Sequence, residues 1–456
     1  MSADEAQPAS FRDPSGWVFR RGGVLYRHVA PSYAADYDLL TSSGLCRELV
    51  DAGRLVAHEE VSVPGHEGAH RVLRPDPVEL VSYPYEWPFS ALQDAALLTL
   101  DVAARALRRG LVLKDASAFN VQFRGSSPIF IDTLSFEAYR KGEPWVAYRQ
   151  FCEHFLAPLA VLSRRDARLA GLWRSQLDGL PLDLASDLLP RSTWLRPGLL
   201  LHLHLHARSQ AHYADREAPR RRVAVSRTSL LALLDSLRRT VLPLFPRRGR
   251  SEWADYERTH AYAEEATRVK EAAVSRWLAA LRPRLVWDLG GNVGRFARIA
   301  ASHGAYVACF DIDPAVVDAA YRALRAEKRR DVLPLLLDLA NPTPGLGWEG
   351  RERDSLEARG PADAVLALAL VHHLAIGRNV PLPRVARWLA RLAPAAIVEF
   401  VPKDDPQTRR LLRSRRDVFP DYTAEGFEAA FGAAFRLEAR EPLAGSRRVL
   451  YLWRAA

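Results

Sequence analysis

Cysteine is scarce in this chain: three residues in 456, Cys46, Cys152 and Cys309. They stand far apart and form no CxxC pair. That argues against a disulfide framework or a zinc knuckle and fits a reducing compartment. Long apolar runs are missing as well. No stretch reaches the roughly 18 uncharged apolar residues that a membrane helix needs. The run Leu199–His206 is short and broken by three histidines. Met1 to Gly16 has neither a basic start nor an apolar core, so no signal peptide is expected. No repeat of fixed period is visible. Together these absences lead to the expectation of a cytoplasmic protein with no membrane partner.

Lysine is rare too, so the formal net charge of +10 is nearly all arginine. Basic clusters occur at Arg220–Arg222, Arg247–Arg250, Lys328–Arg330 and Arg413–Arg416. Each is a candidate phosphate contact. They are scattered among acidic residues and no nucleic-acid motif accompanies them, so solvated loop and helix faces are the favoured reading. Hydrophobic residues make up 48% and charged residues 26%, which is ordinary for a globular chain. The length predicts two or three domains.

Residues 1–90 mix short β-like pieces (Trp17–Phe19, Val24–His28, Leu55–Val63, His70–Leu73) with turn signals. Ser90–Arg108 reads as a long amphipathic helix, because Leu92, Ala96, Leu100, Ala103 and Leu107 form one stripe. Apolar runs at Leu111–Leu113 and Pro128–Ile131 follow, and from Trp145 to about Leu244 the pattern is helical. Leu244–Trp253 carries Pro, Gly and a charge run and reads as the main linker. After Leu281 strands and helices alternate, which predicts a parallel sheet with helices on both faces. Its last two strands, Phe435–Ala439 and Arg448–Trp453, read as an antiparallel hairpin at one edge. The wholly apolar run Val365–Val371 suits a central strand covered on both sides.

The segment Leu285–Ala301, "LVWDLGGNVGRFARIAA", carries the strongest signal. An apolar strand ends in Asp288. A tight turn then holds Gly290, Gly291, Asn292 and Gly294, and a helix follows at once. Glycine lets the backbone take positive φ and lets a ligand lie against bare main chain. Asparagine is among the few other residues that tolerate that conformation. The new helix points free N–H groups at whatever sits in the loop. About twenty residues on, a second strand ends in Asp311, where an acid faces the ribose hydroxyls of a nucleoside. A third acid, Asp338, ends the next strand. In a doubly wound sheet the three strand ends line one carboxyl edge.

With these residues the segment resembles the class I S-adenosylmethionine-dependent methyltransferases, over roughly residues 253–456. The resemblance implies S-adenosylmethionine as cofactor. It implies that Gly290, Gly291, Asn292 and Gly294 hold the methionine moiety and that Asp288 is the leading acid. It places Asp311 at the ribose, counts Ile312 among the cofactor-binding residues, and places Asp338 and Leu339 at the adenine and Leu370 to His373 beside the sulfonium and the acceptor. Asn292 stands where the family has its middle glycine. The spacing is not GxGxxG, which makes a nicotinamide dehydrogenase the weaker reading. His372, His373 and Glu399 are the catalytic candidates. Unperturbed histidine titrates near pH 6.5 and suits proton removal, while Glu399 would serve equally as a structural hydrogen-bond partner. Asp404 is a further candidate. No Asn/Asp-Pro-Pro-Tyr/Phe sequence is present, which disfavours amino methylation of that type. Trp253, Tyr256, Tyr262 and Lys270 lie on a segment that commonly forms a lid in this family.

A second signal lies upstream, in "LKDASAFNVQF" and "IFIDTLSFE". Asp115, Asn120 five residues later, and Asp132 after a strand are the residue types that phosphoryl transfer uses. The segment resembles the catalytic and metal-binding loops of protein-kinase-like and aminoglycoside-phosphotransferase-like folds. It departs from them as well. Leu113 and Lys114 replace the usual residues, no glycine follows Asp132, Gly22-Gly23 is a poor Gly-rich loop, and no lysine precedes Lys114. A degenerate kinase-like domain is therefore expected. His202, His204 and His206 alternate, but with no Cys or carboxylate nearby they read as packed or surface histidines, and no metal is expected. These hallmarks, with "VEFVPKDDP", make the whole chain resemble a nodulation-associated bacterial methyltransferase family.

The expectation is thus an α/β protein. Residues 1–245 form an α+β degenerate kinase-like accessory or substrate domain with a helical second half, and residues 246–275 a linker and lid. Residues 276–456 form a Rossmann-like, seven-stranded, S-adenosylmethionine-binding methyltransferase domain. The expected acceptor is a small molecule or peptide. The alternatives are an RNA methyltransferase, a bifunctional protein with an active kinase half, and a non-catalytic cofactor-binding regulator.

Overall fold

In the computed structural model, residues 4–213, 224–247, 264–413 and 416–455 are described. The chain divides into two compact units. The first comprises residues 1–123, 128–249 and 346–353, the second residues 124–127, 250–345 and 354–456. The expected linker at 244–253 lies mostly outside the described residues, as do the lid candidates Trp253, Tyr256 and Tyr262.

The first unit opens with β1 (Glu5–Ala6), β2 (Gly16–Arg21), β3 (Val24–Val29), β4 (His58–Val61) and β5 (Arg71–Pro75). They make an antiparallel sheet ordered β1-β2-β3-β5-β4. The expected strand over Leu55–Val63 is shorter, His58–Val61. The amphipathic helix runs from Phe89 to Arg108, and the apolar stripe Leu92, Ala96, Leu100, Ala103 and Leu107 is buried. Burying each leucine there contributes about 2 kcal/mol. Next come β6 (Leu111–Leu113), β7 (Val121–Arg124), β8 (Ser127–Phe130) and β9 (Phe136–Ala138), with β6 pairing β9 and β7 pairing β8. From Tyr148 to Val241 the described residues of this unit are mostly helical.

The histidine run is part of that helical half. Leu200–Leu205 forms a π-helical turn, which spreads alternate residues around the axis. His202 bonds Tyr148 Oη (2.9 Å) and Ser236 Oγ (2.8 Å). His204 bonds Ser186 Oγ (2.8 Å) and Thr193 Oγ1 (2.9 Å). Both are buried, with each ring nitrogen given to a hydroxyl.

The second unit holds the strand–helix alternation. Its strands are β10 (Leu285–Leu289), β11 (Tyr306–Asp311), β12 (Val332–Leu336), β13 (Ala364–Ala367), β14 (Ala395–Phe400), β15 (Phe435–Pro442) and β16 (Val449–Ala455). They form a seven-stranded sheet ordered β12-β11-β10-β13-β14-β16-β15. The first five are parallel, and β16 runs antiparallel between β14 and β15. Val365, Leu366, Ala367, Ile397 and Val398 are fully buried, as strands covered on both faces must be. Strand order reverses at β10, which lies between β11 and β13. That places a crevice outside the carboxyl ends of these strands. The apolar run Val365–Val371 is a strand only in its first part, since β13 ends at Ala367. Ala369 takes φ 50°, a left-handed backbone that cannot continue a ladder. All three cysteines are free thiols.

Candidate active site

The carboxyl edge of the second unit's sheet surrounds a cavity of about 350 Å³. Seven of the ten residues expected to bind a cofactor line it: Gly290, Asn292, Asp311, Ile312, Asp338, Leu339 and Leu370. The other three, Asp288, Gly291 and Gly294, lie behind the wall. Asn292 has φ 50° and its N–H donates to Asp311 Oδ2 at 3.0 Å. Asp311 Oδ1 accepts from Asp313 N at 3.0 Å. One carboxylate thus ties the turn after β10 to the tip of β11. The helix after the turn begins at Arg295 rather than Gly294, because Gly294 caps it with φ 79°. Asp313 caps the next helix through Ala315 N, and Pro314 fills its first turn.

Gly291 is needed for a different reason from its neighbours. A Cβ there would overlap Cys309 Sγ and the Asp288 carboxylate, so the turn rests directly on those side chains. Asp288 is buried, and burial pushes it up to about 7; Lys270 opposes the shift and Asp311 adds to it. Burial also raises Asp311, against hydrogen bonds from Asp313 and Asn292. Ile312 follows Asp311 at the cavity with 47% of its surface exposed. An apolar side chain left open beside two carboxylates suits a ligand that is part aromatic and part polyhydroxylated.

The three catalytic candidates separate by position. His373 lines the cavity. Burial, then the charge of Arg448, lowers it to about 4, so it is neutral at pH 7. His372 lies beside it with ring centroids 4.1 Å apart. It is fully buried, and neither ring nitrogen has a hydrogen-bond partner among the described residues. Glu399 is also fully buried and does not line the cavity. Lys270 Nζ donates to its Oε2 (2.6 Å), and Arg448 donates to its Oε1 (3.3 Å). Burial alone would raise Glu399, but these two cations hold it below its ordinary range. Asp404 pairs with Arg447, and Asp405 with Arg448 at 2.7 and 2.9 Å.

Several lining residues carried no readable signal. Ala369, Leu374, Gly377, Arg378 and Leu411 all border the cavity. Leu374 and Gly377 belong to a π-helical turn, His373–Gly377, a feature that often marks functional sites.

In the first unit, Asp115, Asn120 and Asp132 do come together. Asn120 Nδ2 donates to Ser135 Oγ (3.2 Å), and Ser135 Oγ donates to Asp132. Asp115 accepts from Ser117 N at 2.9 Å. Arg27 on β3 donates to Asp132 Oδ1. Burial would raise Asp132, but Arg27 and the Ser135 hydroxyl lower it overall. Arg27 stands 105 positions from Asp132, and nothing in its sequence neighbourhood marks the pairing. Among the described residues no group of three His, Cys, Asp or Glu is arranged to hold a metal ion. Of the basic clusters, Arg220–Arg222 and parts of two others lie outside the described residues. Arg329 is paired with Asp331 at 2.8 Å. No helix among the described residues is long and apolar enough to cross a membrane.

Comparison with known proteins gives one full-length relative. No family model matches the chain. Among solved structures it is similar to the bifunctional kinase-methyltransferase WbdD, with 20% identity, 45% of this chain and 42% of that chain covered, and a TM-score of 0.30. It is similar to magnesium protoporphyrin IX methyltransferase (ChlM) from Synechocystis PCC 6803, with 20% identity, 46% and 86% covered, and a TM-score of 0.31. A third is the N-methyltransferase NodS from Bradyrhizobium japonicum WM9, with 13% identity, 42% and 98% covered, and a TM-score of 0.32. Along nearly its whole length the chain matches the nodulation protein NoeA of Rhizobium meliloti (strain 1021), at 38% identity over 453 residues, 97% of this chain and 94% of that protein. The chain belongs to the family of the nodulation protein NoeA.

Proposed function

We propose that the chain is an S-adenosylmethionine-dependent methyltransferase acting on a small molecule or peptide. The observation that carries this is the convergence of Asp311, Ile312, Asp338 and the Gly290–Asn292 turn on one cavity. The residues fit the cofactor. On this reading Asp311 accepts from vicinal hydroxyls, Asp338 accepts from an exocyclic amine, and Ile312 lies against a base; that all three line one cavity supports it. The positive-φ turn lets a ligand lie along bare backbone. When bound, S-adenosylmethionine supplies a methyl group activated by a sulfonium.

The chain's own work is positioning. Leu368, Leu370 and Leu374 make the wall near His373 apolar, which keeps water from a developing reaction axis. His373, neutral and at the wall, takes the acceptor's proton. His372 and Glu399 act behind it as positioning groups, and Glu399 fixes Lys270 and Arg448 through a buried ion cluster. The first unit is a kinase-like accessory module whose Asp132 is neutralised by Arg27. RNA as acceptor and a live phosphotransferase half are the weaker readings, since no observation favours either.

The test is calorimetric titration of the full chain with S-adenosylhomocysteine, followed by labelled methyl transfer to candidate acceptors. One equivalent of uptake is expected, and no uptake would end the reading. His373→Gln should retain uptake and lose about 10²- to 10⁴-fold in transfer rate. Because His373 is already neutral, the parent rate should stay flat from pH 6 to 8.

A further inference from the structure

Arg378 follows the π-helical turn His373–Gly377, itself downstream of β13. Its Nη2 reaches Asp338 Oδ2, beyond the end of β12, at 3.5 Å. In the sheet, β12 and β13 are separated by β11 and β10. Three strand spacings of about 4.8 Å make ~14 Å between those two strands. The side-chain pair therefore joins segments that follow strands on opposite sides of β10 and β11, which carry the Gly290–Asn292 turn and Asp311. Both partners border the cavity. A ligand resting on that turn and on Asp311 shares one cavity with both partners.

The pair is weak by construction. A distance of 3.5 Å exceeds the ~2.7–2.9 Å of a good charge-assisted bond. The two side chains are 53% and 33% exposed, and such pairs contribute about 0–1 kcal/mol. It is not needed to hold Asp338, whose Oδ1 already accepts from Ala340 N at 2.9 Å. An amine arriving at Oδ2 competes with the guanidinium and displaces it at little cost. The displaced group is planar and cationic, and planar cations lie well on aromatic ring faces.

We propose that Arg378 is a ligand-clamping residue. It spans the mouth through Asp338, yields Oδ2 to the exocyclic amine of an adenine, and then lies on the ring's open face. The proposal rests on the reading of the cavity as an adenosine site, and it adds a contact that none of the recognised motifs contains.

The experiment titrates the full-length parent, Arg378→Ala and Arg378→Lys with S-adenosylhomocysteine and with methylthioadenosine, which lacks the amino-acid tail. Arg378→Ala should weaken both ligands by the same factor, about 3- to 30-fold. Arg378→Lys, which keeps the charge without the plane, should fall between. Thermal unfolding midpoints should stay together because Arg378 is exposed. Unchanged affinity overturns the proposal. Tighter binding also overturns it, since Arg378 would then be only an obstruction. A loss confined to S-adenosylhomocysteine overturns it as well, by moving Arg378 to the tail. If the parent takes up neither ligand, the adenosine reading falls and takes this proposal with it. In every other failing case the adenosine reading survives.

Discussion

Each unit of the chain carries a carboxylate cluster just past its strand ends, and the two treat their acids in opposite ways. In the first unit Asp132 is closed from all sides by Arg27, Ser135 and the Leu134 N–H. In the second, Asp311 spends its internal bonds on two backbone amides and still faces a cavity. An acid held close by its own cation, as Asp132 is by Arg27, is a structural part, whereas the looser, exposed pairing of Asp338 with Arg378 leaves Asp338 at the cavity. An acid steadied by amides keeps charge and lone pairs for something that comes from outside. The same residue type at similar positions thus serves different ends, and how closely an arginine holds it decides which.

The sharpest way to break this contrast is to remove the cation. Arg27→Met should destabilise the chain by about 3 kcal/mol, because it strands a mostly buried charge. Arg27→Met with Asp132→Asn should recover most of the loss, as read from denaturant midpoints. Equal losses in the single and double variants would mean that Asp132 is not charged in the folded chain.

A comparable effect should come from Asp288, an acid of the second unit that is buried rather than presented. Burial raises it from 3.8 to about 7. Between those pH values the folded chain holds a proton that the unfolded chain has released. Its contribution to stability is therefore complete below pH 4 and is lost as pH climbs through 7. Relative to Asp288→Asn, the parent should lose up to roughly 4 kcal/mol between pH 4 and pH 8. A flat difference across that range would show that Lys270 keeps the carboxylate ionised.

Asp311→Asn turns one of its two acceptor oxygens into a donor facing a backbone amide, so it should cost about 1–3 kcal/mol of stability and weaken S-adenosylhomocysteine by about 100-fold, since charge-assisted bonds contribute ~1.5–3 kcal/mol each. The smallest effect belongs to Asp313, whose job is local. Asp313→Ala should cost about 1 kcal/mol as a lost helix cap and change that affinity by less than about threefold. A large affinity loss there would dissolve the distinction between capping and presenting acids.

What the sequence made readable follows from local physics. The turn at Gly290–Gly294 and the acids Asp311 and Asp338 were legible because strand tips, positive φ and capping are short-range demands. Strand parity was not legible for Glu399, because β14 is buried on both faces and alternation gives no inward side. Nor could adjacent His372 and His373 be told apart, since a π-helical turn rotates its residues off the usual helical spacing. Arg27 and Asp132 are 105 positions apart, and one arginine among many carries no mark of its partner. Arg378 and Leu411 reach the cavity by loop geometry that no periodicity encodes.

The turn over Gly291 has one more consequence. Its underside is pressed against Cys309 and Asp288 with no room for a methyl group, so a side chain added there must displace one of them. The side where Arg378 meets Asp338 is held by one loose contact. Compounds that differ where they meet the turn will be sorted strictly by shape, while bulk added on that looser side will be tolerated. Inhibitor chemistry for this chain has its freedom on one side only.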